Sequence, residues 1–78
     1  METILIVDDN KDMQFNISNI LKHEGYEVIA VGDGRGALKE VKMRSPNIVL
    51  LDIRLPGMDG MKILEEMKKI NKDLIEIM

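Results

Sequence analysis

An α/β fold on a parallel sheet is what this sequence predicts, and three observations predict it. Short apolar runs alternate with segments whose apolar residues recur at helical spacing, joined by short connections. Two of the runs, Thr3-Ile4-Leu5-Ile6-Val7 and Asn47-Ile48-Val49-Leu50-Leu51, end in acids: Asp8 and Asp9 after the first, Asp52 after the second. The chain also stops at Met78 inside what reads as a further strand. Runs that are apolar on both faces belong to strands covered on both sides, as in parallel sheets. In an open α/β sheet the ligand crevice lies outside the carboxyl ends of the strands. Three carboxylates gathered there repel one another, so the arrangement makes sense when a cation joins them.

The elements follow in order. Residues 3–8 form a continuous, β-branched first strand. Asn10 suits a helix N-cap, with Asp12 near the positive end of the helix dipole. A helix over 11–24 carries Met13, Ile17, Ile20 and Leu21 at helical spacing, with Phe15 widening the stripe, and Gly25 suits the C′ position. A second strand over 27–31 leads to the turn Gly32-Asp33-Gly34. A helix over 35–44 carries Ala37, Leu38 and Val41 and ends at Ser45-Pro46, since proline cannot continue it. A third strand over 47–52 precedes the loop Leu55-Pro56-Gly57. Asp59 then suits the N-cap of a helix over 60–70 with Ile63, Leu64, Met67 and Ile70 inward, and a fourth strand begins at Leu74. This βαβαβαβ order specifies a parallel sheet with right-handed crossovers.

Composition bounds the function. Seventy-eight residues make one small domain, and 45% hydrophobic with 32% charged residues is a globular composition. Ordering such a chain costs roughly 120 kcal/mol, which nearly cancels the hydrophobic gain. No cysteine is present, so disulfides and thiolate metal sites are excluded and a cytoplasmic setting fits. The apolar runs fall far below a membrane span, and the N-terminus has no charged segment followed by an apolar one. A net charge of −3 argues against nucleic-acid binding. The expected chain meets neither membrane nor nucleic acid.

The acids set the chemistry. Carboxylates converging without thiol or imidazole suit a hard cation, and Mg2+ fits best because it keeps several waters and needs one or two carboxylates. Two unit charges about 4 Å apart interact by about 4 kcal/mol at an effective dielectric of 20, a repulsion that a cation relieves. Singly, each acid could be a solvated loop residue or a cap; an adjacent pair plus a third, all at strand ends, points to a site.

Ile4-Leu5-Ile6-Val7-Asp8-Asp9-Asn10, followed by Ile48-Val49-Leu50-Leu51-Asp52-Ile53-Arg54-Leu55-Pro56-Gly57-Met58-Asp59-Gly60, resembles the receiver domain of two-component response regulators. Gly25-Tyr26-Glu27-Val28 and Gly34-Arg35-Gly36-Ala37-Leu38 are similar to the family's linking segments, so the resemblance covers the whole chain, residues 1–78. It implies a flavodoxin-like doubly wound sheet, here a truncated (βα)3β with strand order 2-1-3-4. The first helix would lie on one face and the second and third on the other. It implies that Asp52 is the phosphoacceptor and that a histidine kinase is the phosphoryl donor. Asp9, Asp52 and the backbone carbonyl of Arg54 would hold Mg2+, with Asp8 helping through a metal-bound water. The chain would be a signalling acceptor, not an enzyme.

The family also places a Ser or Thr after the fourth strand and a Lys after the fifth, both contacting the phosphoryl group. Neither position occurs in this sequence, so the expected domain is the N-terminal two-thirds of a receiver. A fourth strand ending at the sheet's edge with open hydrogen-bonding groups would favour a homo-oligomer.

Two other readings stay open. The chain could be a non-phosphorylated structural or oligomerising module. Alternatively, Gly32-x-Gly34-x-x-Ala37 with Asp52 twenty residues beyond Gly32 matches a short dinucleotide-binding pattern, which leaves Asp8, Asp9 and 55–60 unexplained. His23, in the last turn of the first helix, reads as a surface residue facing the helix dipole. Lys68, Lys69 and Lys72 read as a solvated helix end, and the seven methionines mainly as core filler.

Overall fold

The computed structural model describes residues 2–51 and 60–77. Its elements are β1 (Thr3–Val7), α1 (Lys11–His23), β2 (Glu27–Val31), α2 (Gly34–Arg44), β3 (Ile48–Leu51), α3 (Gly60–Ile70) and β4 (Ile75–Ile77). The four strands form one parallel sheet in the order β2-β1-β3-β4, the order the resemblance implies. Val7 stands opposite Val31 on one side and Leu51 on the other.

Strand alternation assigns the faces. Leu5, Val7, Val49 and Leu51 share one core with Ala37 and Val41 of α2, Ile63, Leu64 and Met67 of α3, and Leu74; Ile29 and Val31 pack against it. Ile4 and Ile6 are also buried but stand outside that core, on the face covered by α1. One helix therefore lies on one face and two on the other, as expected.

The helix ends are set by local chemistry. Asn10 caps α1, accepting from the amides of Asp12 and Met13. Gly25, just beyond α1, has φ 96, a conformation that costs a side-chain-bearing residue about 1–2 kcal/mol. Asp33 was expected within a turn, yet it is the N-cap of α2, accepting from Gly36 N at 2.7 Å. A Cβ on Gly36, the third residue of α2, would lie 3.1 Å from that same carboxylate and 3.4 Å from Val31 Cβ, so a side chain there would crowd the cap.

Several expectations are corrected: Ile70 of α3, expected inward, is exposed, and among the described methionines Met67 is buried whereas Met13, Met43 and Met61 are exposed, not core filler. The inward side of α1 is Gln14, Ile17, Ser18 and Leu21, all half-buried, while Met13, Phe15 and Ile20 are exposed. Polar residues occupy half of the true inner stripe, so apolar spacing alone gave the wrong phase. Lys68 is half-buried instead of solvated, and its Nζ donates to the Leu74 carbonyl at 2.7 Å, tying the end of α3 to the start of β4. Among the described residues, no helix is long and apolar enough to cross a membrane.

Candidate functional site

The site begins where β1 runs out. Asp8 N donates to the Val31 carbonyl at 3.1 Å, so pairing with β2 continues one residue past the strand. The Asp8 carboxylate accepts from Asn10 N at 2.9 Å, an Asx-type turn that redirects the chain. Asn10 Oδ1 then accepts from Asp12 N at 2.9 Å and Met13 N at 3.1 Å, which starts α1. Asp9 sits inside this turn, exposed, beside a half-buried Asp8. Two carboxylates are thus presented at the carboxyl end of a central strand.

The donor set fits a hard cation. Neither Asp8 nor Asp9 makes an ion pair with a described lysine or arginine. The Asp8 carboxylate spends one lone pair on Asn10 N and keeps the rest. Among the described residues no three acids, histidines or cysteines cluster as a metal site, so Asp8 and Asp9 are the described part of the expected set. Asp52 and Arg54 lie outside the described residues, as do Leu55-Pro56-Gly57 and Asp59. What leads to Asp52 is described: β3 is parallel to β1, with Leu51 opposite Val7. A cleft of about 150 Å³ opens at this end of the two strands, lined by Ile6, Val7, Asp8, Ile17, Leu50 and Leu51.

Gln14 belongs to the site's support and escaped the sequence reading. Its side-chain amide donates to the carbonyls of Asp8 and Val31, the latter at 3.2 Å. The available signal was a carboxamide on the helix stripe that also holds Ile17 and Leu21, since a polar group placed inward needs partners there.

The dinucleotide reading loses its geometric basis. Such ligands bind at the point where strand order reverses, here between β1 and β3. The Gly32–Gly34 turn instead follows β2, an edge strand, and Asp33 within it is committed to capping α2.

Comparison with known proteins agrees with this frame. The response regulator receiver domain matches residues 4–78. The chain is 40% identical over 73 residues to sporulation initiation phosphotransferase F of Bacillus subtilis (strain 168), covering 94% of this chain and 59% of that protein. A CheY-like response regulator receiver domain protein from Methanospirillum hungatei JF-1 superposes with a TM-score of 0.96 at 35% identity, over 100% of this chain and 62% of that one. TrrA from Thermotoga maritima, solved in complex with Mg(2+)-BeF, superposes with a TM-score of 0.92 at 35% identity, over 100% of this chain and 68% of that one. A complex of the histidine kinase ThkA with TrrA gives a TM-score of 0.89 at 34% identity, over 97% of this chain and 66% of that one. Strand order, the acids closing β1 and these matches lead to one conclusion: the chain belongs to the response regulator receiver domain family of two-component signalling.

Proposed function

We propose that this chain accepts a phosphoryl group from a histidine kinase onto Asp52, with Mg2+ held by Asp8, Asp9, Asp52 and the backbone carbonyl of Arg54. The observation that carries the reading is the register of Val7 with Leu51 in adjacent parallel strands, each followed by acid. Two relatives support it: one is a phosphotransferase by name, and TrrA was solved both with Mg(2+)-BeF and with a histidine kinase. In the reaction a carboxylate oxygen of Asp52 attacks phosphorus in line. The O–P bond forms as the N–P bond to the donor imidazole breaks, and that electron pair stays on nitrogen. Bound Mg2+ neutralises charge on the phosphoryl oxygens and lowers their repulsion by the acids. When the cation is bound, Asp9 would hold it directly and Asp8 would help from beside it. The chain is the acceptor of the group and not a turnover catalyst, and the absence of cysteine accords with a cytoplasmic setting.

Domain extent belongs to the same proposal. Residues 1–78 make up the N-terminal two-thirds of a receiver, in keeping with the 59–68% of three of the relatives' lengths that the chain spans. A second reading, an oligomerising module, is favoured by β4. Among the described residues it lies at the sheet's edge, with Ile75 and Ile77 more than half exposed, and such an edge pairs readily with a second copy.

The test is incubation with acetyl phosphate and Mg2+, followed by intact-mass and peptide mass spectrometry. Wild type gains one phosphoryl group on Asp52, and Asp52→Ala gains none. Labelling at another residue overturns the assignment, and no labelling at all leaves the oligomerising module as the reading.

A further inference from the structure

The carboxamide of Gln14, in the first turns of α1, reaches back over the carboxyl ends of β1 and β2. Its Nε2 donates to the carbonyl of Asp8 and to that of Val31, so the two hydrogens of one amide join two strands. Asp8 N in turn donates to the same Val31 carbonyl at 3.1 Å, which closes the arrangement. These contacts involve main-chain oxygens and leave the carboxylates to other partners.

Anchoring the Asp8 carbonyl has a specific consequence. That carbonyl is half of the peptide joining Asp8 to Asp9, and a peptide unit is planar. Fixing its oxygen fixes the plane that carries the Asp9 nitrogen and Cα, and so the origin of the Asp9 side chain. The other side of Asp8 is held by its carboxylate, which accepts from Asn10 N at 2.9 Å. One residue of α1 and one turn therefore set the orientation of both acids. Removing a group that orients a metal ligand from behind typically costs about 10–100-fold in metal affinity.

We propose that Gln14 is a positioning residue for the metal site. It orients the Asp8–Asp9 peptide so that both carboxylates face Mg2+, a role that rests on the Mg2+ reading given above.

The test separates positioning from simple clamping. Mg2+ is titrated calorimetrically into the wild-type chain and into Gln14→Met, with a thermal melt of each. Methionine matches glutamine in length and flexibility but has no N–H to donate. The expected result is about a tenfold loss of Mg2+ affinity in folded Gln14→Met. A variant that melts lower yet binds Mg2+ as wild type does overturns the proposal, because Gln14 is then a structural clamp. Should Gln14→Met fail to fold, nitrogen-15 NMR of the wild type decides. Added Mg2+ is expected to shift the Asp9 amide and the Gln14 side-chain amide together, and a Gln14 signal that stays fixed while Asp9 moves overturns it. A wild-type chain that takes up no Mg2+ by either method is a failure of the Mg2+ reading itself, and the positioning role falls with it.

Discussion

Thr3 and Asn47 hold each other through two reciprocal hydrogen bonds. Thr3 N donates to Asn47 Oδ1 and Asn47 N donates to the Thr3 carbonyl, each at 2.9 Å. The Asn47 carbonyl also accepts from Ile75 N at 3.2 Å, so one residue fixes the starts of β1, β3 and β4. A one-residue slip of a strand would turn every side chain to the opposite face. This anchor at the amino ends therefore keeps Val7 beside Leu51 at the carboxyl ends, where the acids follow.

Asn47→Ala removes the acceptor for Thr3 N and is expected to destabilise the fold by about 1 kcal/mol. In a domain of this size that lowers the melting temperature by roughly 4–8 °C. Urea denaturation checks it, with the slope unchanged and only the midpoint moved.

Ser45 ends α2 at φ 46, ψ 58, left-handed backbone that a side chain disfavours. Ser45→Gly relieves a strain of about 1 kcal/mol but gains chain entropy in the unfolded state worth part of that. The expected outcome is a net stabilisation of about 0.5 kcal/mol, read from paired melting curves. A destabilised variant would show that the serine side chain contributes more than its backbone costs.

Asp52→Asn is expected to keep the fold and to weaken Mg2+ binding at least about tenfold, because the proposed ligand set loses a charged member. Calorimetric titration beside wild type measures this. Equal affinity would take Asp52 out of the metal site while leaving Asp8 and Asp9 in it.

At the sheet's edge, Ile75→Lys is expected to lower self-association without unfolding the domain. Ile75 is 58% exposed on the outermost of the described strands, so the change places a charge there and little burial is lost. Light scattering at tens of micromolar provides the measure. A wild-type chain that is already a monodisperse monomer removes the oligomer from consideration.

Much of this architecture was legible in the residues. The apolar runs at 3–7 and 48–51 gave the central strands because their burial on both faces leaves no polar alternation to confuse. Asn10 was readable as a cap because its side chain is short, polar and placed just before a helical pattern. The phase of α1 was not, because Gln14 and Ser18 point inward and the apolar Met13 and Ile20 do not. Gln14 could be found only once β1 and β2 were side by side, since its two acceptors come from residues 6 and 17 positions away in the chain. Asp33 was hidden by flanking glycines that read as a plain turn, and Lys68 by the ordinary habit of lysines to face water. Of the expected metal site, Asp8 and Asp9 stand where the strand-end pattern put them, while the reading of Asp52 rests on register and family.

The two faces of the sheet are unequally held, and this has a consequence for motion. α2 and α3 contribute fully buried residues to one core, whereas α1 contributes none. Amide hydrogens of α1 should therefore exchange with solvent through partial openings that leave the opposite layer intact. Such an opening also breaks the Asn10 cap and the Gln14 bridge, and with them the setting of Asp8 and Asp9. Because a ligand that binds only the closed form stabilises it, Mg2+ would slow exchange along α1 more than along α3, linking a site at the sheet's end to the breathing of one helix.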